Sequence, residues 1–413
     1  MVVGASIFAV PAALAACIGP YAPLAFLGCA VAIGAIAICF AEGGSRVPTS
    51  GGAYGYVETA FGPLAGYVAG TLLCFSNVLA CGGIAAALAD TAASVLPAAF
   101  VSAAHAAIIV AVIAGISFVN IGGVARGARL VNAATVLKMI PLAVFHVAGA
   151  GAGAVHAANI TRPNPSSDGG LGHALILALF AFTGFETSLC ASGEVAQPTR
   201  TIPRALGVAM LAVTLLYVAV QLVCQGILGP SLAQSSAPLA DAMARVSSPL
   251  RLLMLAGAAL SMFGYIGGDL LGSPRMLFAF GRDGLLPRVL GRVRAGTHAP
   301  HIAILCYAAL AIVLALTGTF AELAVLSTLA VAAVYIAGCA AAWSLARKSI
   351  ALAGTPLNFR WLGTAMLVGI GSMLLLVALA STAEILGLLA AGTVSAATYL
   401  LVTRRTRKAQ SAA

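Results

Sequence analysis

Three ionisable side chains, Lys138, Glu186 and Asp269, stand inside long apolar runs of this 413-residue chain. A charge in hydrocarbon costs about 2.5 to 3.5 kcal/mol on insertion scales, so each is either held by partners or kept for ion or proton traffic. Glu186 closes the glycine-interrupted segment Phe182-Thr183-Gly184-Phe185-Glu186, and a similar break, Gly4-Ala5-Ser6-Ile7-Phe8, lies about 180 residues earlier. A helix that restarts after a break exposes unpaired N–H groups carrying about half a positive charge, here near Ser6, Ile7 and Phe8, which suits a carboxylate. A helix that stops leaves carbonyls open, here near Ala181 to Thr183, which suits an ammonium. Together the two ends would read one zwitterion. The other reading is that Gly4 and Gly184 simply let helices pack closely.

These groups need elements to hold them, and the composition says which. With 61% hydrophobic and only 8% charged residues the chain cannot make a soluble surface, so it is read as a multi-spanning membrane protein. Apolar runs near 2–17, 22–42, 64–96, 101–119, 130–149, 171–193, 203–228, 250–273, 301–317, 321–345, 361–380 and 384–402 suggest about twelve helical spans of a core roughly 30 Å thick. Nothing alternates at period two, as a barrel would require. All Lys and Arg except Arg162, Arg245 and Arg251 fall on or near one side, which places both termini in the cytoplasm. The net charge of +10 is thus a topology signal with some attraction to anionic lipid, and no nucleic-acid partner is expected. The nine cysteines lie singly in or beside spans and read as packing residues, not disulfides. His298 and His301 form an H-x-x-H without a third ligand, so no metal is expected. The opening run lacks a basic region and is not read as a signal peptide.

The breaks sit at corresponding places in two halves. Residues 1–149 hold spans one to five and 171–345 hold spans six to ten, joined by an external linker over 150–170. Five is odd, so the second copy inserts inverted. Spans eleven and twelve with a basic tail, residues 346–413, stand outside this 5+5 inverted repeat of a single all-α domain. Interrupted membrane helices at matching positions point to a transporter's substrate site, because hydrocarbon tolerates irregular backbone only beside a cavity or protein.

Four patches then resemble the amino acid/polyamine/organocation superfamily of secondary transporters, in particular its bacterial basic amino acid/polyamine antiporter branch. They are Val3-Gly4-Ala5-Ser6-Ile7-Phe8, with Ser6 where a second glycine is usual; Pro48, Gly51, Gly52, Tyr54, Tyr56, Phe61, Gly62, Pro63 and Gly66; Gly184-Phe185-Glu186 with Glu194, Pro198, Arg200, Ile202 and Pro203; and Ser273-Pro274-Arg275 with Arg282-Asp283-Gly284-Leu285-Leu286-Pro287. The resemblance implies discontinuous helices one and six, substrate binding at both breaks, and no cofactor beyond protons as coupling ion. It implies proton-linked gating for Glu186, whose other reading is a structural carboxylate bonding backbone N–H groups freed by the break. Lys138 lies about 13 Å into its span, deep for a snorkelling lysine, and resembles the lysine of proton-coupled members that replaces bound sodium. Asn77 and Cys81 share one helix face and match substrate-touching places, with interhelical hydrogen bonding as the alternative. Asp269 would touch substrate, pair with Lys138 or Arg275, or be solvated at a helix end. Phe180 stands where an arginine/agmatine antiporter has tryptophan, a better cation–π partner, which tilts the substrate toward neutral or apolar amino acids.

The expectation is an amino acid permease of a bacterial-type cytoplasmic membrane, not an enzyme, working by alternating access with spans one, two, six and seven rocking against three to five and eight to ten. An amino acid/amine or polyamine antiporter is the alternative within the class. A non-transporting amino acid sensor or truncated remnant is the alternative outside it, because the first break begins three residues after Met1 and the inner half of span one would lie upstream. The oligomeric state is left open, a homodimer included.

Overall fold

The computed structural model describes residues 4, 6–47, 53–93, 97, 101–151, 153–161, 170–186, 198–352 and 356–411. Among them every regular element is helical. Helix α1 (Ser6–Ile18) turns at Gly19–Tyr21, where Pro20 offers no N–H to continue the ladder, into α2 (Ala22–Arg46). The short α3 (Ala53–Phe61) precedes α4 (Pro63–Ala93), whose first residue is a proline, tolerated where no intrahelical donor is needed. Beyond α5 (Val101–Ile121), helices α6 (Val124–Leu137) and α7 (Met139–Gly151) divide at Lys138 because Pro141 has no N–H for the Leu137 carbonyl. After α8 (Ala157–Thr161), α9 (Gly170–Phe182) stops at the second glycine break. The chain then forms α10 (Pro198–Leu228), α11 (Pro238–Ala244), α12 (Ser248–Gly272), α13 (Pro274–Arg282) and α14 (His301–Thr317). A capping box formed by Thr319 and Glu322 starts α15 (Phe320–Arg347), and α16 (Leu362–Ala378) and α17 (Thr382–Ser411) follow.

Helix α4 runs through the middle, packed on α15, α12 and α14, with 94% of its apolar stretch buried; the corresponding share of α17, at the edge, is 6%. Large apolar side chains such as Phe118, Val136, Val147, Val208 and Leu367 are exposed on outer faces. Water would not tolerate so much apolar surface, and lipid is its natural cover. Among the described residues eight stretches are long and apolar enough to cross a membrane, one of them Ser6–Arg46, which holds both α1 and α2; α9, α14 and α16 are shorter apolar helices. The chain is therefore an integral membrane protein, all-helical among its described residues.

One charged cluster ties distant segments together. The fully buried Glu42 carboxylate accepts the Arg46 Nε–H at 2.7 Å and the Phe359 N–H at 3.1 Å. Arg46 also donates to the Asn358 side chain at 2.6 Å and to the Ile350 carbonyl at 3.3 Å, and Ser45 accepts the Leu357 N–H at 3.1 Å. The end of α2 is thereby bolted to the segment between α15 and α16.

Candidate functional site

The first break is buried. Helix α1 begins at Ser6 with Ser6, Ile7 and Phe8 all inside the protein, and its first N–H groups have no partner within the helix. The Gly4 carbonyl accepts the Ser261 hydroxyl of α12 at 3.1 Å. At the second break α9 ends on Phe182, and the Thr183 N–H and hydroxyl both turn back to the Phe180 carbonyl, at 3.2 and 2.8 Å. Gly184 has φ +104, a conformation that L side chains rarely adopt, so the turn requires glycine. Its N–H lies 3.0 Å from both Glu186 oxygens, and Tyr335 of α15 donates to Oε2 at 2.8 Å.

A single hydroxyl joins the two breaks. Tyr217 of α10, completely buried between Phe26 and Phe182, donates to the Ala181 carbonyl at 2.8 Å, and the Ser6 side chain and Gly4 backbone reach the same oxygen. This corrects the expectation of an open acceptor at Ala181. A buried tyrosine hydroxyl must find a partner, and the end of a broken helix supplies one.

Two cavities adjoin the breaks, and they differ in kind. The larger, about 440 Å³, is lined by Phe8 of α1, Asp90 of α4, Met254, Leu255 and Met262 of α12, and Phe320 of α15. Its walls are largely apolar, while Asp90 stands exposed, 3.1 Å from His105 of α5. Phe180 lies behind Phe320, the rings edge to face with centroids 5.8 Å apart. The smaller is a cleft of about 10 Å³, the size of one water position, lined by Asn77, Thr183, Gly184, Glu186, Tyr265 and Asp269.

The hydrogen bonds around the smaller cleft are those of the interhelical alternative for Asn77 and Cys81. Asn77 donates to the Ser273 hydroxyl at 3.0 Å, Ser273 donates to Asp269 Oδ1 at 2.7 Å, Tyr307 of α14 donates to Oδ2 at 2.6 Å, and the Cys81 thiol reaches the same carboxylate. Asn77, Cys81 and Asp269 therefore hold one another between α4, α12 and α14 and do not line the larger cavity. Asp269, 3% exposed, is neither solvated nor paired with Lys138 or Arg275. Shared helix faces brought Asn77 and Cys81 together correctly, but spacing does not say which neighbour a face meets.

Lys138 is buried at the α6–α7 joint. It shares a face with Ala134 and Pro141, which press so closely on Gly264 and Gly257 of α12 that an added Cβ would come within 2.9 and 2.6 Å. Ser261, the residue that holds the Gly4 carbonyl, lies between those glycines. The lysine is thus level with the first break. Of the other residues singled out from the sequence, Val3, Ala5, Pro48, Gly51, Gly52, Arg162 and Glu194 lie outside the described residues.

Comparison with known proteins decides the family. Residues 1–402 match the pattern of a family described as amino acid permease. The chain belongs to the amino acid permease family. Its relatives include an uncharacterized transporter of Mycobacterium tuberculosis, 30% identical over 99% of this chain and 90% of its own length. The serine/threonine exchanger SteT of Bacillus subtilis is 27% identical over 84% of this chain and 81% of its own. The vacuolar cationic amino acid transporter 2 of Arabidopsis thaliana is 27% identical over 68% of this chain and 47% of its own.

Within this permease fold the hydroxyls of Tyr217, Tyr307 and Tyr335 are the residues that sequence reading missed. Each stands alone in an apolar run, and that isolation is the available signal: a buried hydroxyl announces a polar partner on another helix.

Proposed function

We propose that the chain is a secondary transporter that carries amino acids across a bacterial-type cytoplasmic membrane by alternating access. The observation that carries this reading is the buried start of α1 beside a cavity of about 440 Å³, within the usual range for small-molecule sites. The substrate carboxylate sits at the first-turn N–H groups near Ser6, Ile7 and Phe8, and its side chain lies in the cavity among Met254, Leu255, Met262 and Phe320. The apolar lining favours neutral amino acids with apolar side chains. Carbonyls at the end of α9 other than the occupied one of Ala181 face the ammonium. About twelve spans, arranged as inverted repeats α1–α7 and α9–α15 with both termini cytoplasmic, place the two breaks at the membrane midplane. The cycle is proton-driven and sodium-independent, with the Lys138 ammonium beside Ser261 standing in for sodium. Glu186 couples to the cycle by holding the second break.

Exchange in place of net uptake is the second reading, favoured by the likeness to SteT, itself a serine/threonine exchanger. Reconstituted protein assayed for uptake and counterflow across a panel of amino acids and polyamines, with and without a pH gradient, tests both. Gradient-driven accumulation of an apolar amino acid is expected; counterflow alone would establish exchange, and no movement of any compound would overturn the transporter reading.

A further inference from the structure

Two carboxylates face the water-sized cleft, and their partners differ in a way that assigns them different work. Glu186 is bound by the N–H of Gly184, which lies 3.0 Å from both oxygens, and by the Tyr335 hydroxyl at 2.8 Å. The hydroxyl can turn, but the backbone N–H only donates, and because it faces both oxygens it favours the ionised form whichever oxygen a proton would take. Asp269 is bound by the hydroxyls of Ser273 and Tyr307 and by the Cys81 thiol. Each of those groups rotates and both donates and accepts.

We infer that Asp269 is the proton-carrying carboxylate of the transport cycle, a deepening that rests on the proton-driven reading above. The exchange is balanced by one serine. With Asp269 ionised, Ser273 donates to Oδ1 and accepts from Asn77. When a proton from water bonds to Oδ1, the new O–H donates to Ser273 Oγ, whose own proton turns to the Asp269 backbone carbonyl one helical turn back, a common bond for helical serine. Asn77 keeps its acceptor throughout and Tyr307 keeps donating to Oδ2. Both states are fully bonded, so charge enters and leaves without stranding a buried polar group. Loss of the proton to the opposite side restores the carboxylate.

The titratable and charged groups around Asp269 fit this role. Helix α4 contributes Cys74 and Cys81, α12 contributes Tyr265, α14 contributes Tyr307, and Glu186 stands across the cleft. Lys138 on the α6–α7 joint is level with Ser261, about two turns along α12, His105 of α5 pairs with Asp90, and Arg275 of α13 is exposed. No fixed cation neutralises Asp269 among the described residues, and Thr183 and Gly184 of the second break share its cleft.

The test is Asp269→Asn in reconstituted vesicles, read as two activities. Counterflow of the amino acid found for the unmodified protein should stay within about threefold, while accumulation driven by an inward pH gradient should fall at least about tenfold and the pH profile of uptake should flatten. Tyr307→Phe, which removes one rotor and keeps the carboxylate, should shift the pH of half-maximal uptake while leaving counterflow. Retained gradient-driven accumulation in Asp269→Asn would overturn the assignment, as would loss of counterflow in that variant together with an unshifted profile in Tyr307→Phe. Absence of a pH-gradient effect in the unmodified protein would instead remove the proton-driven reading itself.

Discussion

At the scale of single residues, the proposed cycle asks Glu186 to hold the second break and Lys138 to supply a fixed charge. Glu186 joins the Gly184 N–H to the Tyr335 hydroxyl, so Glu186→Gln replaces a charged acceptor by a neutral amide. Hydrogen bonds to charged groups contribute about 1.5 to 3 kcal/mol, so the substrate KM is expected to rise by about tenfold or more at every pH, checked by uptake kinetics. A KM unchanged at all pH values would show that the break holds its form without the carboxylate. Lys138 is the one ammonium placed on the face that meets α12 near Ser261. Lys138→Ala is expected to cut uptake in sodium-free buffer by about tenfold, the effect of roughly 1.4 kcal/mol, and full activity there would count against a sodium-replacing charge.

At the scale of elements, α1 and α9 pack directly on each other, and Tyr217 ties the start of one to the end of the other. Its hydroxyl binds the Ala181 carbonyl that ends α9 and touches the start of α1, while its ring packs on Phe26 and Phe182. Tyr217→Phe keeps the ring and leaves a buried carbonyl without its donor, which costs about 1 to 3 kcal/mol. Substrate affinity should fall by about fivefold or more, and a thermal melt in detergent should show lower stability even without substrate. Equal affinity and stability would separate the two breaks. The same pair of helices also marks how far the sequence could be read. The long helices were legible because they are apolar runs punctuated by glycine or proline, whereas the short α3, α8, α11 and α13 carry no such signal. The partners of Asn77, Cys81 and Asp269 were not legible, because helical spacing fixes which residues share a face and leaves open which helix lies opposite. Ser273 meets Asp269 by local i, i+4 spacing, but Tyr307 comes to it from α14 only through packing, and Tyr335 reaches Glu186 across 149 residues of chain.

At the scale of the whole molecule, the larger cavity and the basic loops lie toward opposite sides in the proposed topology. A single cysteine at Ser236→Cys, near the cavity wall, should react with an impermeant reagent from outside intact cells, and one at Arg294→Cys only after the membrane is opened, native cysteines having been replaced. The reverse pattern would invert the orientation. The clamp between α2 and the α15–α16 segment bears on how such a chain is made. Glu42 and Arg46 are one helical turn apart and neutralise each other at 2.7 Å, whereas Asn358 and Phe359 emerge from the ribosome more than 300 residues later. Helix α2 can therefore enter the bilayer early as a self-neutralised segment, and the waiting guanidinium and carboxylate give the last-made helices a fixed mooring, so that assembly ends where the charges were first laid down.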